Sequence, residues 1–394
     1  MPGSLFRPGV PSVKGAYHLA RRARFSRPRV ARPFSFRARR GIIAFQSPAE
    51  LRVPIVRGIF RYPIKGLSPQ AVPWIHLDEG KPFPFDRVFA LTRPGVRGET
   101  VEAQWAKKGL FLMLMLEEPL ASVQSVLDVE TMRLKVFRKN APSPGAHPAE
   151  AWDGGVVTDD CLLDVDLGCD EGRRATAAFF FQRIPELKAV PRLVHAGDAH
   201  YMDKPESVIS CINLETVRQL ERAWGHPINP LRFRANFYID GVPPWAEFDW
   251  VGRNVQLGGV TFRVDRRNGR CGSVNVDPVT GQRDLDIPTA LRASYGHKDL
   301  GVYLVALQGG KVALGDAVQG PRLEVAQAPV PARPLAPPIG PAFICRGCYY
   351  IYDEAKGAPG LPSGTPFPSI AGDWRCPDCG TEKTNFRPYL APAS

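Results

Sequence analysis

Four of the eight cysteines of this chain stand close together near its C-terminal end as two C-x-x-C pairs, Cys345-Arg-Gly-Cys348 and Cys376-Pro-Asp-Cys379. No other feature restricts the fold as strongly. A module of about fifty residues buries too little apolar surface to hold itself together and needs a staple. Four thiolates in two such knuckles supply a closed tetrahedral site for one ion, with backbone N–H groups of each knuckle directed at the sulfurs. That donor set suits zinc and iron alike, and spacing alone does not choose between them. Residues 1–47 contain no compact apolar stretch of the kind a secretory signal needs, so the pairs read as a metal site and not as a disulfide framework.

The tail module is set off by composition. Six prolines fall in the thirteen residues from Pro329 to Pro341. Such a stretch carries neither a helix nor an inner strand and acts as a semi-rigid extended spacer. Residues 321–342 are therefore expected to be a Pro-rich linker and residues 343–394 a separate small domain. At the other end, eleven of the 51 Lys and Arg residues precede residue 48, with no Asp or Glu among them. The rest of the chain, 40 basic against 39 acidic residues, is close to neutral, and its charge makes no case for nucleic acid. Residues 1–50 read first as a disordered arm or an over-extended reading frame. An Arg-rich, acid-free organellar presequence comes second, and a contact to nucleic acid or anionic lipid last. The longest apolar run, Leu110 to Leu116, falls far short of the ~20 residues of a membrane span.

The body, from residue 53 to 320, reads mostly as short strands with Gly and Pro turns. Val255–Leu257 and Val260–Val264 flank Gly258-Gly259, and Val302–Leu307 and Lys311–Leu314 flank Gly309-Gly310, two hairpin signals of the same form. Ser207–Ile212 and Phe237–Ile239 are further β-rich runs. One helix is expected after Asn213, a good N-cap, with Leu214, Val217, Leu220 and Trp224 on one face. The expected class is mainly β or α+β, with two β-barrel-like domains, 53–190 and 191–320, ahead of the small metal-binding tail. The boundary near residue 190 rests on the loop-like residues between Pro185 and Pro205.

The residues around the tail cysteines narrow the metal. Tyr350, Tyr352, Phe367, Trp374 and Phe386 form an aromatic set, and C-x-x-C-Y-Y-I-Y-D, G-L-P-S-G-T-P-F, D-W-R-C-P-D-C-G and K-T-N-F together closely resemble rubredoxin from Phe343 to Pro388. The resemblance implies one iron on Cys345, Cys348, Cys376 and Cys379, passing single electrons as it cycles between ferric and ferrous states. A dry aromatic shell suits that task. A structural zinc ribbon is the alternative. One residue departs from the family's pattern. Rubredoxins usually carry Gly after the first knuckle, where this chain has Tyr349, while Gly380 keeps the matching place in the second. If that position needs a positive φ, tyrosine costs about 1–2 kcal/mol there.

In the body, Arg270-Cys271 precedes the turn signals Asp277-Pro278 and Thr280-Gly281. An arginine beside a cysteine favours the thiolate, the form that ligates metals. Taken alone, a lone cysteine is more often a buried small hydrophobe. Further motifs occur in order: Tyr62-Pro-Ile-Lys65-Gly66, Asp86-Arg87-Val-Phe-Ala-Leu, Phe233-Arg234-Ala-Asn236-Phe and Gly315-Asp316. The series resembles the MOSC family with its N-terminal β-barrel companion, over residues 53–320, and most closely the amidoxime-reducing components. The resemblance implies a molybdenum cofactor, a pterin dithiolene with a terminal phosphate, held between the two β-rich domains. Cys271 is then the molybdenum ligand and a catalytic residue. Lys65, Arg87 and Arg234 stand at motif positions where cations would meet the cofactor, and Arg can do so as a bidentate fork. Ser210 and Asn236 are expected as polar contacts, and Asp277 as a second catalytic residue that orients the loop or a substrate amine. Gly66 and Ala235 replace the Ser and Pro common in the family.

The two resemblances together imply a molybdenum oxidoreductase that reduces N-hydroxylated or related oxygenated small molecules, fed by its own iron domain. The spacer raises the local concentration of that donor. An upstream flavin or ferredoxin-type reductase would reload the iron, in the cytoplasm or, with a presequence, in an organellar matrix. The rival expectation keeps the MOSC fold as a sulfur carrier with a persulfide on Cys271. Cys161, Cys169 and Cys211 read as buried thiols, His195 and His200 as neutral loop histidines, and Asp198 and Asp203 as turn formers.

Overall fold

A computed structural model of the chain describes residues 53–139, 157–321 and 341–389. The basic arm and most of the Pro-rich linker lie outside the described residues. The chain divides into two units, residues 1–49 and 50–394, and the account below concerns the second.

The fold is mostly β with few helices. The largest sheet has eight strands in the order Val318–Gln319, Asn254–Leu257, Val260–Gly269, Asp299–Ala306, Ile209–Asn213, Phe237–Asp240, Ile55–Arg61 and Gln70–Ala71. Its ends meet. Ile55 bridges Ala317, Val56 donates its amide to the Asp316 carbonyl at 2.8 Å, and Val318 donates to Pro54 at 2.8 Å. The sheet thus closes on itself, which removes exposed edges. Ile209–Asn213 and Phe237–Asp240 run parallel, and a parallel pair needs a crossover. The helix Leu214–Trp224 lies within it, capped by the Asn213 side chain at its start and by Gly225 at φ 66° at its end, as the sequence pattern leads one to expect. Leu214, Val217 and Leu220 bury its apolar face against the barrel core.

A second layer holds the antiparallel strands Val123–Asp128, Arg133–Lys139 and Val157–Asp166, with the helix Asp170–Phe181, and a pair Phe89–Leu91 with Leu193–His195. Strands from both sides of residue 190 contribute to each layer. The tail has its own three-stranded sheet, with Ala342–Cys345 between Ile351–Asp353 and Phe386–Pro388.

The first Gly-Gly hairpin forms as expected, with Leu257 opposite Val260. The second does not. Gly310–Ala313 pairs with Trp74–Leu77 instead. Asp299–Ala306 is already flanked by Val260–Gly269 and Ile209–Asn213, so it has no free edge to offer the strand that follows it. Among the described residues no helix is long and apolar enough to cross a membrane.

Candidate metal centre and the adjoining cavity

The four tail cysteines converge. Their sulfurs all lie within 4.8 Å of one another and all four residues are buried. Cys345 Sγ is 3.7 Å from Cys379 Sγ, and Cys348 Sγ is 3.5 Å from Cys376 Sγ. A tetrahedral ion about 2.3 Å from each sulfur separates them by roughly 3.8 Å, so the donor set fits one such ion. Each knuckle is a tight turn closed by a backbone bond, Tyr349 N–H to the Cys345 carbonyl at 3.0 Å and Gly380 N–H to the Cys376 carbonyl at 2.8 Å. The aromatic set packs around it. Phe343 stacks on Phe367 at 4.2 Å, and Trp374 meets Tyr352 at 5.9 Å and Phe386 at 5.4 Å.

Cys271 opens a short helical turn, Gly272–Asn275, and lines a cavity of about 130 Å³. Lys65, Arg87, Ser210, Arg234 and Arg270 line the same cavity, although they come from distant parts of the chain. Lys65 Nζ donates to the Tyr201 carbonyl at 2.8 Å and to Asp203 at 2.6 Å. Burial pulls the Lys65 pKa down, and Asp203 works against that. Arg87 pairs with Asp86 and donates to the Arg234 carbonyl at 2.8 Å. Arg234 donates to the Leu67 carbonyl at 2.7 Å. Both guanidinium groups lie over the Tyr62 ring, at 4.3 and 4.4 Å. Burial, and then Arg87, bring the Arg234 pKa down to about 10. Arg87 and Arg234 both have positive φ, 53° and 52°, a conformation that is uncommon away from glycine and occurs at functional sites. The cavity adjoins a wider cleft of about 1030 Å³, and Met113 and Met115 line both.

Two expected contacts are placed elsewhere. Asn236 lies behind the cavity wall. Its Oδ1 accepts from the amide of Ser210 at 3.1 Å and from the hydroxyl of Ser210 at 2.9 Å, so it braces the residue that faces the cavity. Asp277 is engaged in its own turn. It accepts from the amides of Val279 and Thr280, each at 2.8 Å, and from Arg232 Nη2 at 2.7 Å, and it does not line the cavity. Asp203, expected as a turn former, pairs with Lys65 and lines the cavity. Cys161 and Cys169, expected to be buried, are exposed, whereas Cys211 is buried. The first two sit at the outer edge of the smaller sheet and at the start of the helix that follows it, where nothing covers them. His195 packs against Phe89 at 4.6 Å, and His200 is buried with its ring nitrogen accepting the Met202 amide at 3.2 Å.

The two sites touch. Gly272 donates its amide to the carbonyl of Gly347, inside the first knuckle, at 2.6 Å. Cys271, Met113 and Met115 belong to the same apolar cluster as the four metal-site cysteines. The sequence held a sign of this in the Leu110–Leu116 run and the glycine before it. A Cβ on Gly109 would lie 2.9 Å from the Cys379 carbonyl, so glycine there lets the second knuckle approach.

Comparisons with known proteins match this division. Residues 191–319 match the family model of the MOSC domain, and residues 342–386 match that of rubredoxin. Rubredoxin 3 of Rhodococcus erythropolis is 51% identical over 55 residues, which are 13% of this chain and 90% of that protein. Among solved structures, YiiM from Geobacillus stearothermophilus is 19% identical, with 30% of this chain and 56% of that chain covered and a TM-score of 0.24. This chain thus spans little more than half of that protein's length. The YUAD protein from Bacillus subtilis is 12% identical, with 68% of this chain and 95% of that chain covered and a TM-score of 0.29.

Proposed function

We propose that this chain, which carries a MOSC domain and a rubredoxin domain, is a molybdenum-cofactor-dependent oxidoreductase acting on N-hydroxylated or other N-oxygenated small molecules. The rubredoxin domain, with its four-cysteine cluster, accounts for one iron. The donor set of the cavity suits a thiolate-ligated metal with an anionic pterin. It offers the thiol of Cys271, the hydroxyls of Ser210, Ser273 and Tyr303, and the cationic side chains of Lys65, Arg87, Arg232, Arg234 and Arg270. Bound there, the cofactor supplies oxygen-atom removal, a step that uses two electrons and two protons and releases water.

The residues of this chain do the rest. Cys271 would ligate the metal, and Arg87 and Arg234 would hold the cofactor's phosphate with guanidinium groups fixed by the Tyr62 ring and by backbone carbonyls. Asn236 keeps the Ser210 hydroxyl turned to its place. Met113 and Met115, apolar and adaptable, stand where the outer cleft meets the cavity and limit the entry of water. The observation that carries the reading is the contact between Gly272 and Gly347, which sets the iron knuckle directly against the residue after Cys271.

Metal analysis and visible spectroscopy of the purified chain, and of Cys271→Ala, test this. The expected result is one molybdenum and one iron per chain with a red chromophore. The variant should lose molybdenum and the reduction of N-hydroxylated amidines while its iron spectrum persists. Retained turnover in Cys271→Ala would sink the assignment. Zinc in the tail with no molybdenum would point to the sulfur-carrier alternative.

A further inference from the structure

The two knuckles of the tail end in the same backbone conformation but in different residues, Tyr349 at φ 63° and Gly380 at φ 75°. That conformation strains an L side chain and not a glycine. The metal does not account for the tyrosine side chain, because its hydroxyl, like its carbonyl, is bonded outside the tail. Its hydroxyl accepts from Asn275 Nδ2 at 2.7 Å and donates to the carboxylate of Asp286, and its carbonyl accepts from Arg292 Nη2 at 2.7 Å. The side chain is buried, at 5% exposure. The peptide groups before it bind the same surface. The Gly347 carbonyl takes the Gly272 amide at 2.6 Å, and the Cys348 carbonyl takes Lys298 Nζ at 2.8 Å. Every one of these partners lies between residues 272 and 298, the stretch that follows Cys271.

The body is shaped for this approach. A Cβ on Gly272 would stand 2.7 Å from the Gly347 carbonyl oxygen, closer than real Cβ atoms come, and a tight 3.3 Å from that of Arg346. Only a glycine lets the knuckle close on the turn.

We propose that the surface formed by residues 272–298 is a docking site committed to this chain's own tail, and that Tyr349 is the positioning residue that locks the first knuckle onto it. A tail with glycine at this place would dock without the hydroxyl and would take from Asn275 Nδ2 and from the Asp286 carboxylate the partner that Tyr349 supplies. Locked in this way, the path from Cys348 Sγ through the Gly347 carbonyl and the Gly272 amide to Cys271 Sγ is covalent at every step but one, the single hydrogen bond. Its use as an electron path rests on the reading of Cys271 as a metal ligand. The docking does not.

Hydrogen–deuterium exchange on the iron-loaded full chain tests the lock. Tyr349→Phe removes only the hydroxyl, and Asp286→Ala removes an acceptor while leaving the tail's sequence untouched. Both variants are expected to exchange at least about tenfold faster over residues 272–276 and 345–350, the loss of a buried hydrogen bond, with the ferric absorption unchanged. Unchanged exchange in both variants would overturn the proposal. So would bleaching of the iron chromophore in Tyr349→Phe, since the tyrosine would then serve the metal loop. Absence of molybdenum, or turnover by Cys271→Ala, would remove the proposed catalysis and leave the exchange result standing.

Discussion

The ammonium of Lys65 lies 2.6 Å from a carboxylate oxygen of Asp203, and this pair sets the charge balance of the cavity beside Cys271. Lys108 approaches the other oxygen at 3.8 Å. Arg87 is matched by Asp86. Among the described residues no carboxylate lies in ion-pair range of Arg234 or Arg270, so the wall keeps two uncompensated guanidinium groups. Such an excess of buried positive charge is costly unless an anion meets it. An anionic ligand such as the proposed cofactor would meet that excess.

Acid should weaken the fold through Asp203. Burial pushes its carboxyl up, but Lys65 and Lys108 outweigh that and hold it below the usual carboxylate range. A carboxyl with a depressed folded pKa stabilises the fold above its unfolded value, near 4, and the contribution is lost as the pH falls below that. Asp203→Asn lacks the titrating group. Urea midpoints at pH 7 and pH 3 should therefore fall further in the parent chain than in the variant. Equal losses would show that Lys65 gains nothing from its partner.

Gly301 should tolerate no side chain. It has φ 71°, and a Cβ there would stand 2.3 Å from the Cys211 carbonyl oxygen and 3.3 Å from an Arg270 nitrogen. The register explains the geometry. Arg267 pairs with Val302 and Gly269 with Asp299, so the strand Asp299–Ala306 carries one extra residue, a bulge with glycine in the left-handed conformation. The bulge turns the Leu300 carbonyl toward the Arg270 guanidinium, which donates to it from Nε at 2.8 Å. Gly301→Ala should cost about 3 kcal/mol or more, from backbone strain and a clash with main chain together. Equilibrium unfolding in urea measures it, and a loss under about 1 kcal/mol would refute the steric account.

What could be read beforehand follows from how local each signal is. The tail was legible because an S4 site needs four thiolates at fixed spacing and a dry shell, and both are written within one short segment. The helix after Asn213 and the hairpin at Gly258-Gly259 were legible for the same reason. The Gly309-Gly310 hairpin failed because its strand's edges are claimed by segments far away in sequence. Lys65, Arg87, Ser210, Arg234 and Cys271 line one cavity, yet they were grouped by resemblance and not by any local rule. Asp203 was missed, since only the fold brings it to Lys65 across 138 positions. Tyr349 was visible as an anomaly, but its partners Asn275 and Asp286 were not, because their bond crosses from tail to body.

Glu247 should make the fold less stable as the pH rises toward neutrality. It sits in the short helix Ala246–Asp249 at 1% exposure. Asn213 Nδ2 donates to one of its oxygens at 2.9 Å and Thr216 Oγ1 to the other at 2.9 Å, and among the described residues no cation pairs with it. Burial pushes its pKa up to about 7, against the pull of those hydrogen bonds. Between about pH 4.5 and 7 the folded chain therefore keeps a proton that the unfolded chain has released. Stability falls with rising pH across that window, and the full cost is present above it. The integrated loss is roughly 2–4 kcal/mol. Glu247→Gln keeps the shape and removes the titration. Urea midpoints at pH 5, 6.5 and 8 should decline in the parent chain and decline less in the variant, and parallel declines would mean that another group carries the effect.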